Sequence, residues 1–382
     1  MPERLIFTLG SMRKMEINRR DLLSQSAAIA GLLSIPGASL LAMNQAGLLV
    51  SAFSNNTDQH FIGVLSKQGE LIYQLSVQSR GHAACISQDG NLAIFFARRP
   101  RRWMISLDIR TGKIVGETGS VEGRHFFGHG VMSHDNAVVF ASENDYQNNQ
   151  GVIGIYDVKN GLKRIDEIPS FGLGPHEIAL LADGKTLVVG NGGIETHPDY
   201  GRRKLNLDSM SPSLSYIDLS TGKEMARYLP PHHQLSLRHL CVNQNDQVII
   251  GAQFQGDKRE DYPLVFSHKG EDQLQALSAQ PLPNQRYLKQ YIASVSLTAD
   301  GRFAITSSPK GDRVSVWDLK KLRWLRDVSV PDVGGVFMAG ARGQIMLSSG
   351  NGKIYLLDPE IGELKIIQEH AMKQWDNHLR GI

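Results

Sequence analysis

The sequence predicts an all-β protein folded as one seven-bladed β-propeller. Three observations predict it: a hairpin-like turn that recurs seven times, a second turn that follows each copy of the first, and unpaired strands at both ends of the array.

The first turn occurs in NQAGLLVSAF (44–53), SQDGNLAIFF (87–96), SHDNAVVFAS (133–142), LADGKTLVVG (181–190), NQNDQVIIGA (243–252), TADGRFAITS (298–307) and ARGQIMLSSG (341–350). Asp-Gly and its relatives between alternating apolar residues mark hairpins, because such turns need residues that tolerate positive φ. The second turn occurs in LSKQGEL (65–71), LDIRTGK (107–113), YDVKNGL (156–162), IDLSTGK (217–223), FSHKGED (266–272), VWDLKKL (316–322) and LDPEIGE (357–363). Successive copies fall roughly 40 to 60 residues apart, the spacing of four-stranded blades. With strands A to D counted outward from the axis, the first turn joins A to B and the second joins C to D.

The ends of the array support the same count. It opens at a B strand (47–53) with no A strand before it, and it runs past the last D strand (363–369) into AMKQWDNHLRGI. That tail can supply the missing A strand, so that both ends of the chain close one blade and no sheet edge is left open. A pair of β-sandwiches would leave both orphan strands unexplained.

Residues 1–42 are set apart from the propeller, 43–382. The stretch MEINRRDLLSQSAAIAGLLSIPGASLLA (15–42) places Arg19 and Arg20 before Leu22, Leu23 and a short Ala-rich apolar run broken by Pro36. This pattern reads as a twin-arginine export signal, with Met15 as the initiator and a periplasmic destination. The run is too short for a stable membrane span. The twin-arginine route carries folded proteins, often already loaded with a cofactor.

The chain carries 41 Lys and Arg against 38 Asp and Glu. Beyond residue 21 the balance is 36 bases and 35 acids, which argues against a nucleic-acid or membrane-surface partner. Cys85 and Cys241 fall on inner strands of non-adjacent blades, so a disulfide is not expected and core packing is their plainest role. A monomer is expected.

Since antiparallel strands reverse direction, the B–C and D–A connections share one face. That face carries VEGRHFFGHG (121–130), FGLGPHE (171–177), LPPHHQLSLRH (229–239), ARRPRRW (97–103), SENDYQNNQ (142–150) and the long segment 191–213. Long loops on one face of a rigid scaffold are where binding usually resides. His82, His176 and His239 each lie seven residues before a turn aspartate (Asp89, Asp183, Asp246), and His129 lies six before Asp135. His378 falls at a comparable place in the tail. Blades 1 to 5 thus offer His378, His82, His129, His176 and His239 near the start of strand A, while blades 6 and 7 offer Ser294 and Gly335.

Several imidazoles at one height suit iron, copper or zinc, with Glu143, Asp145, Glu177 and Glu195 as ligands or as partners behind the ligands. Arg98, Arg124, His125, Glu143, Asp145, Glu195 and His197 are candidates for binding a small anionic substrate, Arg98 and Arg124 as the anion-holding groups. Two plainer roles stay open for the histidines. One is the Gly-His contact that holds WD-type blades together, to which Gly81-His82 and Gly128-His129 are superficially similar. The other is satisfaction of backbone groups around a water-filled channel. No G-x-S-x-G, P-loop, dinucleotide fingerprint, C-x-x-C-H or H-E-x-x-H occurs.

The segments RHFFGHGVMSHDN, SENDYQNNQGVIGIYD, LSLRHL and WDNHL, and above all 174–218, resemble a bacterial family of twin-arginine-exported propellers of unknown function. The resemblance spans nearly all of 43–382. It implies a periplasmic role near metal acquisition, since members are often encoded beside imelysin-type iron-uptake proteins. The fold also resembles lactonase-like propellers, which implies hydrolysis of a small anionic substrate as an alternative. A third reading is a protein-interaction platform built on the 191–213 loop.

Overall fold

The computed structural model describes residues 47–278, 286–339 and 343–381. The expected export segment, 1–42, lies outside the described residues, as do 44–46 and 341–342 of two first-turn copies.

Local chemistry builds the turns seen in the sequence. In the A–B turns, Asp89, Asp135 and Asp300 each accept a 2.6 Å hydrogen bond from a hydroxyl two residues upstream, that of Ser87, Ser133 and Thr298. The same carboxylates accept backbone N–H groups two residues on. Gly90 and Gly301 follow at φ +69° and +66°, and Asn136 fills the equivalent place at +57°. Small turns of this kind need a residue that tolerates the left-handed region.

Such turns link strands A and B within the blades, and the described residues form seven antiparallel sheets, six of four strands and one of five. Among the described residues there are no α-helices, only short 3-10 turns. Blades 2 to 7 begin with inner strands Gly81–Ile86, Arg124–Met132, Pro175–Leu180, Leu235–Val242, Ser294–Leu297 and Val333–Met338, and each blade runs outward in chain order. Blade 1 starts with its B strand, Leu49–Asn55. Lys373–Trp375 and Arg380–Gly381 from the C-terminal tail pair antiparallel with that strand, so the ring closes as the repeat arithmetic expects.

The core lies between blades. Val50 and Val64 of blade 1 pack with Phe95, Ile105 and Leu107 of blade 2. On the other side, Phe53, Trp375 and Leu379 of the closed blade pack with Met346 and Ile354 of blade 7. Trp375 and Leu379 are 3% and 0% exposed, so closure is an apolar weld as well as a hydrogen-bonded one. Outer strands such as Lys113–Gly119 are half to fully exposed, whereas B strands such as Leu92–Ala97 are almost wholly buried. A strand covered on both faces has no solvent side to keep polar.

Candidate metal centre

The inner strands are irregular where the histidines fall. The ladder to strand B shifts between Gly81 and Ala84, between Phe126 and Gly130, between Pro175 and Ile178, and between Leu237 and His239. His82, His129 and His176 lie inside these β-bulges, and His239 ends one. His378 lies in the gap between the two tail strands. A bulge breaks the in–out alternation of a strand and re-aims a side chain, which is how these rings come to face the axis together. In blades 3 and 5 the inner strand begins at Arg124 and Leu235, so His129 and His239 sit in mid-strand instead of at its start.

The five rings form a closed circuit in blade order. Centroid distances are 4.5 Å for His378–His82, 4.9 Å for His82–His129, 4.5 Å for His129–His176, 4.6 Å for His176–His239 and 5.0 Å for His239–His378. Blades 6 and 7 leave room for this. Ser294 is small and buried. At Gly335 a Cβ would stand 2.3 Å from Ser348 Oγ and 2.9 Å from the Leu379 nitrogen, so the tail occupies the space where a side chain of blade 7 would go.

All five rings are at most 7% exposed. Burial lowers the pKa of each, to about 4 for His82, where Asp376 partly offsets it, and well below the usual value for His129, His176 and His378. His239 is lowered too, by burial, against the pull of Glu177. The cluster is therefore neutral at pH 7, and neutral imidazole is the metal-ligating form.

Two carboxylates stand behind the rings. Asp376 accepts the His82 Nδ1–H at 2.6 Å and the Arg80 Nε–H at 2.7 Å, with Arg98 Nη1 at 3.5 Å. Burial alone would raise its pKa, but these partners hold it well below the carboxylate range. Glu177 lies on the opposite side, 3.4 Å from His239 Nδ1 and 3.9 Å from His129 Nδ1, and is bound to Arg380 of the tail and to the Leu240 N–H. Burial pushes this carboxyl up, and Arg380 with the two histidines more than offsets it, bringing the pKa to about 2.

The remaining ring nitrogens are mostly bare. Among the described residues, His129 Nε2, His176 Nδ1 and both nitrogens of His378 are buried without a hydrogen-bond partner, while His239 Nδ1 faces only the Glu177 carboxylate at 3.4 Å. None of the five rings bonds a backbone carbonyl among the described residues, which leaves the backbone-satisfying role without a contact to support it. Two trios have ligand atoms within 4.8 Å of one another, His82, His129 and His176 in one and His129, His239 and His378 in the other. Nitrogens 2.0–2.1 Å from a tetrahedral ion stand about 3.4 Å apart, so modest ring rotation would close either trio on a cation.

The other candidate residues are placed differently. Arg98 lines a cavity of about 430 Å³ into which His82, His176 and His239 also face. Arg124, Glu143 and Asp145 do not line it. Arg124 pairs with Asp145 at 3.1 Å and Glu167 at 2.6 Å, and the fully buried Glu143 accepts from Tyr156 at 2.5 Å and Arg164 at 3.1 Å. His125 is buried, bonded to the Phe126 carbonyl and to Asn144. His197 accepts the Asp199 N–H in the 3-10 turn of the long loop, and the Glu195 backbone N–H is held by Asn206. Sequence reasoning missed Asp376, although its place two residues before His378 in the tail was a usable signal. It also did not assign to the site Arg99, Arg202, Lys204, Arg238 and Lys310, which share the cavity with Arg98 and come from four separate segments. Cys85 and Cys241 are free thiols, raised in pKa chiefly by burial, as core packing expects.

Fold and site together define a seven-bladed propeller with a buried, neutral five-histidine cluster on its axis. The chain belongs to the family described as "Protein of unknown function (DUF1513)", which matches residues 75–382. No curated protein matches it. Among solved structures it is similar to Kuenenia stuttgartiensis hydrazine synthase, at 14% identity and a TM-score of 0.57 over 84% of this chain and 94% of that one. It is also similar to the Myceliophteria thermophila Cps50 (Swd1) β-propeller domain, at 13% identity and a TM-score of 0.56 over 78% of this chain and 92% of that one. At such identities the likeness is one of fold alone.

Proposed function

We propose that the five-histidine cluster binds a transition-metal ion, iron, copper or zinc, and that the protein is a periplasmic metal-binding factor in metal acquisition. The observation that carries this reading is that two trios of these buried rings, His82, His129 and His176 and His129, His239 and His378, each bring ligand atoms within 4.8 Å of one another, with several ring nitrogens of the cluster left without a hydrogen-bond partner. A buried polar atom left without a partner costs roughly 1–3 kcal/mol, and one cation would satisfy several at once. Asp376 behind His82 supports the reading further. An ionised carboxylate can only accept, so His82 must donate from Nδ1 and keep its Nε2 lone pair for a ligand.

The periplasmic setting follows from the twin-arginine pattern at 15–42, and proteins of the imelysin type are the partners that the family resemblance implies. The protein acts as a monomer in this reading.

The test is metal analysis of protein purified from the periplasm, followed by titration of the metal-free protein with Cu(II), Fe(II) and Zn(II). Stoichiometric metal, lost in the His129→Ala/His176→Ala double variant at an unchanged unfolding midpoint, is the expected result. Absence of metal both as purified and on titration would sink the reading. Unfolding of the double variant would assign the rings a structural role.

A further inference from the structure

The cavity over the histidines has a second property that a bare metal site does not need. Among the described residues, eight that line it are lysine or arginine and none is aspartate or glutamate. Beyond residue 21 the chain carries nearly equal numbers of bases and acids, so this is segregation of charge and not a reflection of composition. Clefts lined by one sign of charge focus potential and concentrate ligands of the opposite sign.

The cations differ in how far they are already engaged. Arg98 is paired with Asp376. Lys204 is bound to Gln255, and the Lys310 ammonium lies 4.1 Å from the centre of the Tyr291 ring. Among the described residues, neither Arg99 nor Arg238 is paired with a carboxylate. Arg238 reaches only the Ser236 hydroxyl, at 2.9 Å, and Arg99 has no hydrogen-bond or ion-pair partner among the described residues. Both guanidinium groups are half-buried, and burial with mutual repulsion lowers the Arg99 pKa to about 10. Each has unused donors suited to bidentate recognition of carboxylate or phosphate. Gln253, Gln290 and Asn377 add neutral polar groups to the same wall.

We propose that this cavity binds a small, multiply charged oxyanion, a polycarboxylate or phosphate, held by Arg99 and Arg238 directly above the histidines. Resting on the metal reading, the ligand is the oxygen-donor partner of the metal: its outer oxygens engage the guanidinium groups while another oxygen reaches the ion. The protein then recognises a metal complex, and the cations select the anionic chelator while the imidazoles select the metal. His82, His176 and His239 lie on both the cluster and the cavity wall, which puts the two half-sites in contact.

Calorimetric titration of the full chain with citrate and with inorganic phosphate tests this, using acetate as the singly charged control and repeating each titration with Zn(II) present. Citrate or phosphate should bind more tightly than acetate, with affinity that falls as salt rises. The Arg99→Gln/Arg238→Gln variant should lose about tenfold or more of that affinity while keeping its unfolding midpoint and binding Zn(II) alone at least as well as the native chain. Zn(II) and the better-binding oxyanion should each raise the affinity for the other by the same factor. Failure of citrate and phosphate to bind, with or without Zn(II), would overturn the proposal and leave the metal reading to its own titration. Binding that the double variant does not weaken would place the anion elsewhere and overturn it equally. Oxyanion binding that is lost in the variant, in a chain that binds no metal, would uphold the anion site and remove the metal reading instead.

Discussion

His82 and Asp376 meet at 2.6 Å across 294 residues of sequence. The bond joins the inner strand of blade 2 to the C-terminal tail, so the step that closes the ring also sets the tautomer of a ring in the cluster. Replacing Asp376 with Asn removes the ionised acceptor and lets His82 turn over. Metal affinity, read by competition titration, is expected to fall about 10- to 100-fold. Unchanged affinity would show that this pair serves closure alone.

Acidification should destabilise the metal-free protein in a defined window. An unfolded histidine titrates near 6.5, whereas burial holds His82 at about 4 and lowers the other four. Between these values the unfolded chain binds protons that the folded one does not. Stability is therefore full above about pH 6.5 and falls as the pH drops toward 4, by about 1.4 kcal/mol per pH unit for each histidine still neutral in the fold. Glu177 adds nothing there until the pH nears the unfolded carboxyl range, because it is ionised in both states. Urea unfolding at pH 7.5, 6 and 5 checks the slope; a flat profile would contradict the buried neutral cluster.

Gly128 sits at φ +98° with no room beside it. A Cβ there would lie 2.6 Å from His82 Cδ2 and 2.9 Å from its Cβ. Gly128→Ala should push His82 out of the circuit, weaken metal binding and cost about 1–3 kcal/mol of stability by overpacking. Equilibrium unfolding and metal titration on the same sample would read both effects.

Glu143 offers the converse case. It is fully buried, held by Tyr156 and Arg164, and absent from the cavity wall. Glu143→Gln breaks a buried ion pair and should destabilise the fold by about 3–5 kcal/mol. Metal affinity of the folded fraction should stay within about twofold of native, since the network touches neither half-site. A selective loss of binding without loss of stability would give Glu143 a role in the site after all.

Trp375 tests closure. At 3% exposure it packs against Phe53 with ring centroids 4.9 Å apart. Trp375→Ala should cost about 3–5 kcal/mol in denaturant unfolding. Because His378 and Asp376 ride on the same tail, metal binding should weaken with it.

Much of the architecture was legible because its signals are local. Turns such as Ser87-Gln88-Asp89-Gly90 and Asp108-Ile109-Arg110-Thr111-Gly112 carry their own hydrogen bonds, so seven variants of each turn could be counted without knowing what packs on what. The histidine register was legible for a related reason: His82, His176 and His239 share an offset from those turns. Asp145 and Glu143, by contrast, looked like site residues because they lie on the correct face. Asp145 is paired with Arg124 and Glu143 with Arg164 of the outer strand, and neither carboxylate reaches the cavity wall, a choice that depends on side-chain direction and not on position along the strand.

The sequence alone determined the blade count, the identity of the closing strand and the five histidines that could meet, since all three follow from short-range repeats and strand alternation. Only the tertiary structure decided that the rings converge, because the bulges at residues 81–84, 126–130, 175–178 and 237–239 re-aim side chains in a way that no spacing rule encodes. It alone also brought Arg99 and Arg238 to one cavity wall on which no described residue is a carboxylate. Long-range charge segregation arises from how separate loops fold over one mouth, and it leaves no trace in a chain whose bases and acids nearly balance.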